Sequence, residues 1–465
     1  MTFFTDPAFF VLLVLAAIPA AILGFLGRSQ RFYLLGVSLL FLAFLFSKTP
    51  LAGLAFVFYL ALSFSVSRLF LYLRSSRPSQ SLQAPPSLPG RADLGSDTPG
   101  RYGDDRPQAS PNLLGPSYPA GSKPPAIPGI AKSSRTRNGF SPSEPAGSKP
   151  PAIPEMALFL VVVGILLLPL VAYKASALFD ASLLGFLGIS YITFKTVQVA
   201  IEIHDGLIKE LGIVDYLAFL VFFPPFTAGP IMRSRDFMHD IRTVPQQSDY
   251  RELFTRGLLW FLIGVFYKMV CSAVFSIAIW YLPKALGNAS WVAIVAGQIG
   301  SAYAYGFYLF FDFAGYSLMA IGIGAVFGIK VPRNFHYPFA SIDIKDFWNR
   351  WHMSLSFWLR DYVFMRFVRT VRRHRLIGSR VATSCCGYLL NMGLMGLWHG
   401  VTLNYLAYGL YHGLLLASHE LFQRTSFFKR HKDTKPYRIV SWLVTFNLVM
   451  LGFAIFSGQV SLSGH

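Results

Sequence analysis

The feature that most constrains this chain is a series of unbroken apolar runs, most of about 17–25 residues, the length an α-helix needs to cross roughly 30 Å of hydrocarbon. Composition agrees: of 465 residues, 54% are hydrophobic and only 14% charged, more apolar side chain than one aqueous core can hide. Alternating strand-like segments are absent, which argues against a β-barrel. The sequence therefore predicts an all-α fold, a polytopic membrane protein with about 11 transmembrane helices plus re-entrant segments.

Spans are expected near residues 9–26, 32–46 and 51–73, then 156–172, 181–201, 254–278, 291–327, 381–398, 403–421 and 439–456. The 291–327 run is long enough for two helices, with Asp312 near their junction. The run 216–223 is too short to cross and stops at Pro224-Pro225-Phe226-Thr227-Ala228-Gly229-Pro230. Proline removes a donor and clashes with the preceding turn, so this segment reads as a re-entrant or broken helix buried in protein. From 335 to 371 aromatics alternate with charges and amides, which fits a broken segment dipping into the bilayer better than a span or a loop.

Three regions follow. Residues 1–73 carry three N-terminal spans, 74–155 form a linker rich in Pro, Ser and Gly, and 156–465 form the catalytic core. The linker repeats Pro119-Ala120-Gly121-Ser122-Lys123-Pro124-Pro125-Ala126-Ile127-Pro128 at 145–154. It has too few large apolar residues to offset its chain entropy and is expected to be disordered and cytoplasmic; a ligand for SH3-type domains is the weaker reading.

The formal charge of +19 would suggest a nucleic-acid binder in a soluble protein. Here Lys and Arg cluster in the gaps between apolar runs, the pattern of positive loops retained inside, so no nucleic-acid partner is expected. The first run has no positive charge before it, and Arg28 and Arg31 follow it, which predicts a retained first span with the N-terminus outside. Cys271, Cys385 and Cys386 all lie in apolar runs and provide neither a disulfide framework nor a four-thiolate metal site.

Polar groups inside a bilayer are costly and mark candidate sites. His399 in Met395-Gly396-Leu397-Trp398-His399-Gly400 ends a span that begins at a basic inside segment. A neutral imidazole there can take a proton from a hydroxyl and return it to a leaving thiol. His352 lies in Asp346-Phe347-Trp348-Asn349-Arg350-Trp351-His352-Met353-Ser354, and if that segment dips inward the two imidazoles meet, served by Asn349, Arg350 and Ser354. The plainer readings are a histidine satisfied by a neighbouring carbonyl and an interfacial aromatic belt with an arginine anchor. Glu202, Lys268, Asp312 and His412 are further intramembrane candidates. A metal site of His352, His399 and His412 lacks any diagnostic spacing, and neither a Walker loop nor a Gly-x-Ser-x-Gly elbow is found. The residues alone leave catalysis, transport and proton relay open.

From about Leu187 to Gly458 the sequence resembles the membrane-bound O-acyltransferase family, and within it the members that D-alanylate teichoic acids. The matching stretches are 186–191, Phe226-Thr227-Ala228-Gly229-Pro230, Asp312-Phe313-Ala314-Gly315-Tyr316-Ser317, 346–361, Met395 to Gly400, and 446–458. The resemblance implies a ring of helices around a thinned centre, where a tunnel from the cytoplasm meets a funnel from outside, in the plasma membrane of a bacterium. It implies His399 as catalytic histidine and His352 as the second, with Asn349, Arg350, Trp351, Ser354, Trp398 and Asp312 lining or supporting the tunnel. The implied donor is a D-alanyl carrier protein bearing phosphopantetheine, with no tightly bound cofactor and no metal in the membrane protein itself, and the implied acceptor is lipoteichoic acid or a related polymer. Carrier docking is expected at Phe364, Met365, Arg366, Val368 and Arg369, the last standing where the family tends to have an aliphatic residue. The rival readings are an O-acetyltransferase acting on alginate or peptidoglycan, a proton-coupled transporter or flippase, and a scaffold.

Overall fold

The computed structural model describes residues 7–76, 155–176, 188–286 and 290–459, which belong to one compact unit. The disorder expected of the linker, its repeat and the first residues of the 181–201 run lie outside the described residues.

The chain opens with α1 (Pro7–Phe25), α2 (Arg31–Phe46) and α3 (Pro50–Ser75), and resumes with α4 (Glu155–Ser176), α5 (Ile189–His204), the short α6 (Ile213–Val221) and α7 (Ser234–Arg242). Helix α8 (Gln247–Phe266) passes through a π-turn (Tyr267–Cys271) into α9 (Ser272–Leu286), followed by α10 (Trp291–Val326). A broken segment carries α11 (Ile344–Trp348), α12 (Met353–Leu359), a second π-turn (Arg360–Phe364) and α13 (Met365–Arg373). The chain finishes with α14 (Arg380–His399), α15 (Leu403–Phe422), α16 (Ser426–His431) and α17 (Lys435–Ser457). Among the described residues there is no strand. Seven of the helical stretches are long and apolar enough to cross a membrane, and α2 is a shorter apolar helix.

Polarity is arranged for a lipid solvent. Large apolar side chains face outward, as at Val11, Leu54 and Trp280, whereas Lys195, Glu202, Asp215 and Lys268 are buried. Each buried charge has a partner, as low dielectric requires. Asp215 forms ion pairs with Arg31 at 2.6 Å and Arg242 at 2.5 Å, and Lys195 Nζ donates to the carbonyls of Phe219 at 2.8 Å and Leu220 at 3.4 Å. That last contact caps the end of α6, where Pro224 prevents continuation. The short helix is buried along Ala218 to Phe223, in agreement with the broken helix expected there.

Two expectations change. The 291–327 run is one helix, α10, of 36 residues, about 54 Å at 1.5 Å per residue. It contains no proline, and Asp312 causes no break because Lys268 Nζ lies 2.5 Å away. Arg74 and Glu155, assigned to the linker by composition, instead belong to α3 and α4 and form a 3.0 Å ion pair. The segment 335–371 is broken as expected, into short helices and turns.

Close helix approach rests on missing side chains, as in other membrane helices where small residues let backbones meet. A Cβ on Gly264 would fall 2.7 Å from the backbone nitrogen of Met319, whereas one on Gly164 would meet nothing within 4 Å. Gly264→Ala is therefore expected to destabilise the protein by about 1–3 kcal/mol through overpacking, although alanine in an open helix position such as Gly164→Ala gains about 1 kcal/mol. Unfolding in detergent measures both, and equal effects at the two positions would refute the packing argument.

Candidate active site

His399 is the last residue of α14. Gly400 follows in extended backbone, and a Cβ there would lie 2.3 Å from the Tyr405 ring, so the chain leaves the histidine through a gap no side chain can fill. The imidazole is half-buried among aromatic rings: Trp398 at 4.6 Å between centroids, Phe456 at 5.0 Å, Tyr405 at 6.1 Å and Tyr408 at 6.3 Å. These rings come from α14, α15 and α17. Helices α14 and α15 approach closely at Gly396 and Gly409, where a Cβ on Gly409 would lie 2.3 Å from the carbonyl of Met392.

The last carbonyls of a helix have no partner within it and carry its negative end. At α14 they are met by Lys174, near the end of α4, whose Nζ donates to the carbonyls of Trp398 at 2.7 Å and His399 at 3.2 Å. Sequence reading missed Lys174 because the expected span stopped at 172; a lone lysine at the end of an apolar run was the available signal.

His352 comes to the same place from the broken segment. It sits between α11 and α12 with φ 43° and ψ 47°, a left-handed conformation that costs a non-glycine residue about 1–2 kcal/mol. Its side chain is buried, edge-on to Phe313 at 4.6 Å, and 6.3 Å from the Trp398 ring. Trp398 thus packs against both imidazoles. Among the described residues, His352 Nδ1 makes no hydrogen bond.

The other expected lining residues separate. Trp351 is buried beside Phe335 at 5.0 Å and Phe453 at 4.8 Å. The Ser354 hydroxyl donates to Asn334 Oδ1 at 2.5 Å and accepts from the Ile231 amide at 2.9 Å, tying α12 to the segment after the proline break. Asn349 is exposed, Arg350 pairs with Asp346 at 2.7 Å, and Asp312 is engaged by Lys268. Asn349, Arg350 and Asp312 therefore make no hydrogen bond to either imidazole. Lys174 instead bonds the carbonyl of His399, and Asn334 bonds the amides of the two residues after His352.

His412 lies one helix away, fully buried against Tyr408 at 4.7 Å and Trp348 at 5.2 Å. Among the described residues neither of its nitrogens has a hydrogen-bond partner. Tyr408 separates it from His399, and among the described residues no group of three or more His, Cys, Asp or Glu is placed to hold a metal ion.

The basic segment after α12 is held by polar contacts to α5 and α7. Arg366 pairs with Asp205, Arg233 with Asp361 at 2.6 Å, and the Tyr362 hydroxyl donates at 2.6 Å to the buried Glu202, which also accepts from Ser234. Of the expected docking residues, Met365 and Arg369 are exposed and Val368 is half-buried. Phe364 turns inward, stacked on Tyr388 at 5.0 Å and filling the space above Gly387. Arg369, Arg372 and Arg373 leave an exposed positive face on α13.

The profile of the membrane-bound O-acyltransferase family matches residues 141–465. A teichoic acid D-alanyltransferase of Streptococcus thermophilus is 40% identical over 306 residues, 63% of this chain and 74% of that protein. Another from Bacillus subtilis is 44% identical over 283 residues, 60% and 70% of the two chains. A probable alginate O-acetylase of Pseudomonas syringae is 33% identical over 279 residues, covering 59% of this chain and 49% of the acetylase.

Lys174→Met removes the donor from two helix-end carbonyls and is expected to cost about 1–3 kcal/mol, the penalty for orphaned buried groups. Lys174→Arg, which retains donors and charge, should recover part of it. Chemical unfolding of the purified variants measures the difference; wild-type stability in Lys174→Met would refute the capping role.

Proposed function

Because the chain belongs to the membrane-bound O-acyltransferase family, we propose that this acyltransferase moves a D-alanyl group from a carrier-protein thioester to a hydroxyl of teichoic acid or a related envelope polymer. The observation that carries the reading is the pair of histidines, His399 at the end of α14 and His352 at the break before α12, packed against one indole. Relatives of 40–44% identity named teichoic acid D-alanyltransferase support the choice of acyl group and acceptor.

In this scheme the neutral His399 imidazole accepts the proton of the acceptor hydroxyl while the oxygen attacks the thioester carbonyl. A carbon–oxygen bond forms, the carbon–sulfur bond breaks, and the imidazolium returns its proton to the departing thiolate. Lys174 fixes the main chain that carries His399. His352 supplies the second polar group beside the reacting carbonyl. The aromatic cage limits water, which would otherwise compete as acceptor.

The donor is a phosphopantetheine-bearing carrier protein, a substrate rather than a resident cofactor. It docks on the positive face of α13, where Arg369, Arg372 and Arg373 attract an acidic partner over roughly a Debye length, about 8–10 Å. Met365 and Val368 add apolar contact, while Phe364 serves by bracing α13 on α14. We place the protein in the plasma membrane of a bacterium, N-terminus outside. What supports this orientation is the placing of Lys and Arg in the gaps between apolar runs, beginning with Arg28 and Arg31 after the first. In the three-part organisation the linker runs between the ends of α3 and α4, and 156–465 is the catalytic core.

The similarity to alginate O-acetylases keeps acetyl transfer as the second reading. Purified protein offered a radiolabelled D-alanyl carrier protein and, separately, a labelled acetyl donor separates the two by which label reaches the polymer. His399→Ala is expected to remain in the membrane and to lose about 10²–10⁴-fold in transfer rate, the usual worth of general acid–base catalysis; undiminished ester formation rejects the assignment. Replacing residues 77–154 by a short flexible linker, with Arg74 and Glu155 retained, should preserve transfer. Loss of carrier binding in that variant would identify the segment as a docking arm.

A further inference from the structure

Helix α12 begins immediately after His352, and that histidine occupies its N-cap position without using its side chain to cap. An uncapped helix start leaves amide donors without partners, and here they would be buried. The first two of these donors are satisfied by one residue from outside the helix. The Met353 amide donates to the Asn334 carbonyl at 2.9 Å, and the Ser354 amide to Asn334 Oδ1 at 3.3 Å.

Asn334 is itself fixed. It is buried, its Oδ1 also accepts the Ser354 hydroxyl at 2.5 Å, and its Nδ2 donates to the Ser317 hydroxyl of α10 at 3.0 Å. Two residues further on, the His336 amide donates to the Arg350 carbonyl at 3.0 Å. The strand of chain from 334 to 336 therefore clasps both sides of His352, holding the backbone before it and after it while leaving the imidazole unencumbered.

We propose that Asn334 is a positioning residue for His352: it caps α12 in place of the histidine, anchors the left-handed turn to α10, and so frees and orients the imidazole beside Trp398. The assignment rests on the role given to His352 above for its effect on rate, but not for its effect on the geometry of the turn. It carries a division of labour. A conventional cap such as Ser or Asp at position 352 would satisfy the helix with its own side chain; a histidine there delegates capping to Asn334, and the two positions form one unit.

Two measurements on the full-length protein in detergent test this. Hydrogen–deuterium exchange at the imidazole C2 of individual histidines, read by mass spectrometry, needs no substrate. Asn334→Leu, close in size but without the hydrogen bonds, is expected to raise exchange at His352 towards that of the exposed His374 and to leave His412 unchanged. Unchanged exchange at His352 would overturn the proposal whatever reaction the protein catalyses, and an equal rise at His412 would mark a general loosening and overturn it too.

The second measurement is a double-mutant cycle on the transfer rate. Asn334→Leu alone is expected to lower kcat about 100-fold, the scale of a 1 Å misplacement, with KM for the carrier protein unchanged. Added to His352→Ala it should lower the rate no further. Losses that multiply would show that Asn334 acts independently of His352 and would overturn the proposal. If Asn334→Leu does not accumulate, Ser354→Ala removes one bond of the clasp, the hydroxyl contact to Asn334 Oδ1, and the smaller loss it causes must likewise vanish in the His352→Ala background. Failure of the reaction assigned above would appear separately, as wild-type protein that moves no D-alanyl label while the exchange result still stands.

Discussion

In hydrocarbon no water is present to satisfy a backbone group, so a helix that stops inside a membrane protein must have its end bonded by something else. Much of this structure follows from that requirement. Lys195 bonds the carbonyls at the end of α6, Lys174 those at the end of α14, and Asn334 the amides at the start of α12. The Tyr250 hydroxyl does the same for the Val326 carbonyl at the end of α10, at 2.7 Å. Where helices end, polar side chains concentrate. Both histidines stand at such ends, and a catalytic site in lipid is most readily assembled where polar groups already have a structural reason to be buried.

The same requirement explains what could be read from the sequence. Long apolar runs are set by bilayer thickness and identify themselves, so α1 to α3, α14, α15 and α17 fall close to where hydropathy puts them. The proline break after α6 and the aromatic-rich interruption before α13 were equally legible, because proline chemistry and crowded polar residues are local signals. His399 and His352 stood out as polar groups in apolar surroundings, and the motifs around them carried the family. What the sequence did not reveal is partnership. Asp312 looked like a junction between two helices until Lys268, 44 residues earlier, was found beside it, and nothing in the pattern links Asn334 to Ser354 or Lys174 to His399. Those pairs are made by tertiary packing between segments whose order in the chain says nothing about their distance.

The helices that carry the site differ in how they are held. Helix α14 is fixed along its length by glycine contacts with α15 and at its end by a lysine from α4. The His352 turn depends on a hydrogen-bonded clasp and on the rings of Phe313 and Trp398. One histidine is thus set by backbone proximity between rigid helices and the other by side-chain hydrogen bonds in an irregular segment. Trp398, which touches both, transmits the geometry of the first to the second.

Arg74 and Glu155 close the gap on either side of an insertion of roughly eighty residues. The ion pair holds the facing ends of α3 and α4 together, so the chain that joins them closes a loop whose ends are already fixed. The entropy of closing such a loop grows only logarithmically with length, about 0.6 kcal/mol for each doubling. A segment attached in this way can lengthen, shorten or duplicate internally, as the repeated decapeptide indicates this one has done, at almost no thermodynamic consequence for the helices. The junction between α3 and α4 is where the fold would accept a foreign domain.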